Sequence, residues 1–227
     1  MPEVKLIETE DGSHSLFVPS LNETYHSFHG AVNESKHVFI KEGLDELINK
    51  FGVTQVNILE IGFGTGLNAL LTKLWANENL SIQINYTTLE PFPLDANITR
   101  QLNYGEKLGG ETAQNEFLNM HEAEWDQEVS LSENFSLHKM EAKIQDAEFN
   151  DKLFNLIYFD AFAPSKQAEM WDLEVLGKVR KNMSMPGILT TYCAKGQLKR
   201  DLRSLGFEVE SIPGPPGKKE MVRGLLT

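Results

Sequence analysis

The chain has one cysteine, Cys193, among 227 residues. A lone thiol excludes an intrachain disulfide framework and any multi-cysteine zinc site, and its isolation fits a reducing cytoplasm. Long apolar runs are missing too: no stretch approaches the roughly 20 residues that cross a bilayer. The first twelve residues carry Glu3, Glu8, Glu10 and Asp11 without an apolar run, so no signal peptide and no membrane partner are expected. Basic residues are scarce, 21 Lys and Arg against 33 Asp and Glu, for a net charge of −12. That average argues against a nucleic-acid partner, which needs clustered cations. The deficit is uneven, however. Residues 166–227 hold eleven basic and seven acidic side chains, a net of +4, leaving −16 on the first 165. One basic face on an acidic body is therefore allowed, although helices that merely differ in surface charge explain the same asymmetry.

What is present is an ordinary globular composition, 41% hydrophobic and 24% charged, at a length that suits one large domain. The first forty residues read as short extended pieces, with a turn at Asp11-Gly12 and a strand over 15–18. Residues 38–50 place Phe39, Ile40, Leu44, Leu47 and Ile48 near helical spacing. From there strands and helices alternate: strand 56–61, a helix with Leu67, Leu70, Leu71 and Leu74 on one stripe, strand 82–89, and a helix from Pro93 to about Tyr104. Strands 135–140 and 154–159, helix 171–181, strand 188–192, helix 197–205 and terminal strands 207–212 and 221–225 follow. Residues 105–134 show no clear period and read as loop plus a variable helix. Alternation of this kind predicts an α/β fold with a doubly wound, mostly parallel sheet. Residues 1–50 are expected to form an appendage with a lead-in helix, and 51–227 a Rossmann-like domain.

The first strand ends in Glu60-Ile61-Gly62-Phe63-Gly64-Thr65-Gly66. Glycines there let the backbone turn tightly and approach a ligand with no Cβ in the way. A dinucleotide fingerprint is Gly-x-Gly-x-x-Gly; the tighter spacing of Gly62, Gly64 and Gly66, preceded by an acid, is similar to the first motif of class I methyltransferases. Their S-adenosylmethionine carries an amine and a carboxylate in place of pyrophosphate, and Glu60 is a candidate to bind that ammonium directly or through water. Glu90, at the end of the second strand, is placed to accept both hydrogen bonds of a ribose diol. An NAD enzyme would put an acid there as well, so the glycine spacing and not Glu90 selects the cofactor.

Ligands of open α/β sheets sit beyond the carboxyl ends of the strands, which draws attention to Asp160 after the strand 154–159. The run Phe159-Asp160-Ala161-Phe162-Ala163-Pro164-Ser165-Lys166, then Met170-Trp171, and late in the chain Gly217-Lys218-Lys219-Glu220-Met221, resembles the tRNA 5-methylaminomethyl-2-thiouridine methyltransferase family, the stand-alone relatives of the methyltransferase half of bifunctional MnmC. Two departures stand out. The family often has Lys-Arg-Glu-Met where this chain has Lys218-Lys219-Glu220-Met221, and Arg-Arg where it has Lys199-Arg200. Lysine keeps the charge and loses the bidentate fork, which suits phosphate contact better than planar recognition.

The resemblance implies S-adenosylmethionine-dependent N-methylation of 5-aminomethyl(-2-thio)uridine at tRNA position 34, with the anticodon stem-loop as partner and a separate enzyme supplying the aminomethyl precursor. Nothing corresponding to the flavin-dependent oxidase half follows Met221, so methyl transfer alone is expected. The implied cofactor set is Glu60, Gly62, Phe63, Gly64, Thr65, Gly66, Asn68, Glu90 and Pro91. The implied substrate set is Phe162, Pro164, Lys166, Trp171, Lys195, Lys199, Arg200, Lys218 and Lys219, with Arg203 and Arg223 as further candidates for phosphate contact. Phe162 and Trp171 are candidates to stack on the base, a role that competes with plain core packing. Asp160 is the expected catalytic residue, because an amine of pKa near 10.4 costs roughly 4 to 5 kcal/mol to deprotonate at neutral pH and some group must take its proton. His26 and His29 are expected at the substrate mouth. No metal is expected, since no Cys or carboxylate partner has ligand spacing beside Tyr25-His26-Ser27-Phe28-His29. Two rival readings stay open: a small-molecule amine methyltransferase or aminopropyltransferase, favoured by the acidic average, and a non-catalytic cofactor-binding module associated with RNA.

Overall fold

Among residues 3–227, which the computed structural model describes, an N-terminal antiparallel sheet of β1 (Lys5–Glu8), β2 (His14–Val18) and β3 (Glu23–Thr24) precedes a much larger one. A helical segment joins them. It runs from α1 (Ala31–Ser35) through ten π-helical residues, Lys36–Asp45, into α2 (Glu46–Phe51), starting seven residues before the 38–50 span that apolar spacing predicts. Its close approach to the large sheet hinges on Gly43, where a Cβ would stand 3.0 Å from Thr190 Cγ2 and 3.3 Å from Tyr158 Cε1.

The chain continues through β4 (Gln55–Ile61), α3 (Leu67–Glu78), β5 (Gln83–Leu89), α4 (Ala96–Thr99), α5 (Tyr104–Glu122), β6 (Glu128–Ser132), β7 (Phe135–Met140), β8 (Phe154–Phe159), α6 (Leu173–Lys181), β9 (Met183–Thr191), α7 (Gly196–Ser204), β10 (Glu208–Pro213) and β11 (Glu220–Leu226). The eight-stranded sheet has the order β10-β11-β9-β8-β4-β5-β7-β6. Strands β9, β8, β4, β5 and β7 are mutually parallel; β6 at one edge and β11 near the other run against them, and the edge strand β10 pairs antiparallel with β11. The expected doubly wound, mostly parallel α/β architecture is thus what the chain forms. The order of connection reverses between β4 and β8, the crevice where ligands of such sheets bind.

Period-two alternation along the parallel strands divides the core into two layers. Ile58, Leu156, Tyr158 and Ile188 join one cluster with Phe39 and Leu47 of the lead-in helix and Leu67, Leu70, Phe117 and Met120 of α3 and α5. Leu59, Ile157, Phe159 and Leu189 join the other, under Val175 and Val179 of α6 and Leu198 and Leu202 of α7. Burial on both faces is why these strands read as near-continuous apolar runs. No helix among the described residues is long and apolar enough to cross a membrane.

Two further regions differ from expectation. The helix expected from Pro93 to Tyr104 shrinks to α4, and the segment 105–134, read as loop plus a variable helix, instead holds the long α5 and the edge strand β6. Helix α5 is broken at Gly109 and Gly110, the latter at φ 66° and ψ −144°, a conformation that only glycine adopts without strain. The glycines that hid the helix in the sequence are therefore a real interruption of it. Arg223, a candidate for phosphate contact, is 7% exposed and bound to Glu42 (3.0 Å), Glu46 (3.3 Å) and Glu210 (2.8 Å), so it fastens β11 and β10 to the lead-in helix and is spent on protein carboxylates. Arg223→Met should destabilise the fold by about 2 to 3 kcal/mol in urea denaturation. That lies at or below the usual 3 to 5 for a broken buried pair, because Glu46 and Glu210 keep some water.

Candidate active site

The carboxyl ends of β4, β5, β7, β8 and β9 open into one cavity of about 1010 Å³, closed on the far side by the N-terminal segment 18–29. The volume sits at the top of the usual 300 to 1,000 Å³ range for small-molecule sites, enough for a cofactor and part of a second substrate.

The turn after β4 shapes its floor. Gly62, Gly64 and Gly66 have φ of 95°, 50° and 75°, and a Cβ on Gly62 would stand 3.0 Å from the Asp160 carbonyl oxygen, so glycine lets the β4 and β8 ends converge. The amides of Gly62 and Phe63 donate to Leu89 O at 3.0 and 3.1 Å, tying the turn to β5. Glu90 then accepts from Gly64 N (3.0 Å) on one oxygen and from Phe92 N (2.9 Å) on the other, while burial pushes its carboxyl up from the usual range. Two histidines grip Thr65: His26 Nε2 lies 2.7 Å from its hydroxyl and His121 Nε2 lies 3.2 Å from its carbonyl oxygen. Burial lowers both imidazoles to about 4, which leaves them neutral at physiological pH.

Three polar side chains form the centre. Asn68, the second residue of α3, donates its amide to Glu60 Oε1 (3.0 Å) and to Asp160 Oδ2 (2.8 Å), and Thr88 donates to the other Glu60 oxygen (2.7 Å). Burial raises Glu60 to about 8. Asp160 rises to about 7, first through burial and then through the nearby charge of Glu34, against the opposing pull of Asn68 and Lys218. Two carboxyl groups joined by one amide hold fewer than two negative charges at neutral pH.

Gly62, Phe63, Gly64, Thr65, Asn68, Glu90, Pro91, Asp160, Phe162, Lys166 and Lys218 all line the cavity, as do His26 and His29. Glu60 does not reach it: wholly buried, with Thr88 and Asn68 on its two oxygens, it acts on a ligand only through Asn68. Gly66 and Pro164 also lie outside the lining. Trp171 is 7% exposed, its ring centroid 4.9 Å from that of Phe159 and its indole N–H on the Phe162 carbonyl (2.8 Å), so it braces the loop after β8 and is not a stacking platform. Lys195, Lys199, Arg200 and Lys219 stand outside the cavity; Lys199 pairs with Glu220 (3.0 Å) and Arg200 donates to Gln197 (2.6 Å). Tyr25, Glu34, Tyr192 and the segment 142–146 line the site without having been singled out for it. Position offered a signal for two of these, since Tyr192 follows β9 and 142–146 follows β7 at the same end of the sheet.

A family model described as S-adenosyl-L-methionine-dependent methyltransferase matches residues 110–227, just over half of the chain. The chain belongs to this family. Among its relatives is the "tRNA 5-methylaminomethyl-2-thiouridine biosynthesis bifunctional protein MnmC" of Leptospira interrogans, 30% identical over 214 residues that cover 89% of this chain and 32% of that protein. The protein of the same name from Cupriavidus metallidurans is 27% identical over 217 residues, 90% of this chain and 31% of its own. This methyltransferase thus spans about a third of the length of these relatives. The crystal structure of MNMC2 from Aquifex aeolicus superposes with a TM-score of 0.79 at 21% identity, covering 100% of this chain and 72% of that one, and shares its fold.

The family's cofactor, S-adenosylmethionine, presents an ammonium, a carboxylate, a ribose diol and an adenine, and the residues present fit it. Glu90 keeps free lone pairs beside its two N–H partners, the requirement for a ribose diol. Asn68 Oδ1 is a buried acceptor with no partner among the described residues, next to two carboxyl groups that favour a cation. The glycine turn would be filled by any Cβ.

Proposed function

We propose that this methyltransferase transfers a methyl group to the primary amine of 5-aminomethyl(-2-thio)uridine at the wobble position of tRNA, with Glu90, Asn68 and the turn 62–66 holding the cofactor and Asp160 receiving the amine. The observation that carries the reading is Asp160 itself, a carboxylate at the sheet's switch point, inside the cavity that the glycine turn and Glu90 also line. The names of the relatives support the substrate, and the net +4 of residues 166–227 supports a polyanionic partner. The aminomethyl group must arrive ready-made, from an enzyme that installs it on the uridine.

S-adenosylmethionine supplies an electrophilic methyl group on a sulfonium, so the protein has to deliver an amine with a free lone pair. The Asp160 carboxylate binds the substrate ammonium and fixes its direction. Charge pairing alone would hold the proton on nitrogen; the surroundings oppose it. Phe162 and Tyr25 meet edge to face at 5.2 Å in the lining that Asp160 shares, and packed over a bound amine they would desolvate the pair, which lowers the amine pKa and raises that of the carboxyl. With Asp160 near 7, Asp160 Oδ accepts the proton in place at about the cost of releasing it to water at neutral pH, and each unit by which desolvation lowers the amine pKa reduces that cost by about 1.4 kcal/mol. Asn68 holds the carboxylate in place throughout.

The acidic side chains of the cavity, Glu23, Glu34, Asp146 and Glu169 among them, favour a polyamine as the second reading. Incubation with methyl-labelled cofactor and tRNA bearing unmethylated aminomethyl wobble uridine, beside a polyamine panel, separates the two. Label is expected in one nucleoside of the tRNA digest, and label in polyamine alone would refute the assignment. Asp160 must be ionised to bind an ammonium, so kcat/KM for tRNA is expected to climb as pH rises through about 7 and to lose that limb in Asp160→Asn.

A further inference from the structure

Lys218 reaches the cavity from the loop between β10 and β11. Its Nζ lies 2.7 Å from Glu34 Oε1 and 3.9 Å from the centroid of the Tyr192 ring. Glu34 is itself fixed, its other oxygen accepting the Ser27 amide at 2.7 Å. At the opposite end of the ring, the Tyr192 hydroxyl donates to the carbonyl of Ala161, the residue after Asp160 (2.8 Å). One tyrosine ring therefore bridges the loop that carries Asp160 and the Lys218 ammonium. An ammonium has three protons. Glu34 takes one and the ring face satisfies the cation from another side, while the side chain remains 34% exposed, with capacity for a further acceptor.

We infer that Lys218 is a specificity-determining residue that donates to a neutral carbonyl oxygen of the substrate, beside the amine that Asp160 receives. The inference rests on the proposed methylation of an aminomethyl base and narrows it. The accepted substrate is an amine borne next to a carbonyl on one compact ring, as the aminomethyl group of such a uridine lies next to the 4-carbonyl. A polyamine offers no such oxygen. A phosphate fits worse than a carbonyl, because Glu34 and Asp160 border the same space and two carboxyl groups against one ammonium disfavour a further anion. The clamp by Glu34 and Tyr192 also lowers the entropy cost of using a long, flexible side chain for recognition.

The test is Lys218→Met, assayed with aminomethyl tRNA over a range of salt. The expected result is a loss of about 30-fold in kcat/KM, with S-adenosylhomocysteine affinity within two-fold of wild type and an unchanged slope of log(kcat/KM) against log salt, since a base contact, unlike a phosphate contact, releases no counterion. Lys218→Arg should recover most of the loss. An unchanged kcat/KM would reduce Lys218 to a clasp between the N-terminal segment and the last hairpin, and a slope shallower by about one would make the contact a phosphate; either overturns the inference. If Lys218→Met also loses cofactor affinity, Glu34→Gln decides. A raised KM for tRNA with cofactor affinity intact supports the carbonyl contact, and no change in KM refutes it. Failure of the wild-type protein to label tRNA at all would instead remove the substrate reading itself.

Discussion

Asp160→Ala is expected to reduce methyl transfer by roughly 10² to 10⁴ at saturating cofactor, the span usual for loss of a positioned proton acceptor. Cofactor affinity should stay within a few-fold, because Glu90 and the turn 62–66 remain intact. The alanine also removes one of the two acceptors of the Asn68 amide and the charge that helps raise Glu60, so the remaining carboxyl should titrate lower. Single-turnover methylation measured beside calorimetry with S-adenosylhomocysteine separates the effects. Undiminished turnover would remove Asp160 from the chemistry.

Glu90→Ala acts on the other half of the site. Its carboxylate fixes the amides of Gly64 and Phe92 and, in the proposed complex, the ribose diol, so its loss both strips the ligand of two acceptors and frees the glycine turn. Hydrogen bonds to a charged group contribute about 1.5 to 3 kcal/mol each. A fall of about 100-fold in cofactor affinity, close to 2.7 kcal/mol, is the conservative expectation. At saturating cofactor the turnover should recover, since Glu90 accepts no proton in the reaction. Glu90→Gln keeps one acceptor and should land between the two. A dissociation constant unmoved by either change would place the ribose elsewhere.

The parts of the molecule that the sequence displayed most clearly are those governed by local rules. The strand ending in Glu60-Ile61, the glycine turn and the apolar stripe of α3 lie within about 20 consecutive residues, and each follows from backbone sterics or helical spacing. The placement of Asp160 followed from topology, because parallel strands put their carboxyl ends on one side of the sheet. What could not be read depends on distant partners. Arg223 looks like any surface cation until three glutamates, two of them from the lead-in helix, are brought around it. Trp171 has the composition of a stacking residue, and only the packing of Phe159 and the free carbonyl of Phe162 assign its ring to the core. Glu34 carries no motif, and its meaning comes from a lysine 184 positions away. Helix α5 was obscured for a local reason, since Gly109 and Gly110 break its periodicity in the sequence as they break it in the fold.

The cavity wall is built from the earliest and the latest stretches of the chain, with His26 and Glu34 on one side and Lys218 on the other. A ribosome makes the glycine turn, Glu90 and Asp160 well before it makes Lys218, so every residue assigned to the cofactor is in the chain before the lysine assigned to the substrate. Only the substrate contact assigned to Lys218 depends on the hairpin of β10 and β11.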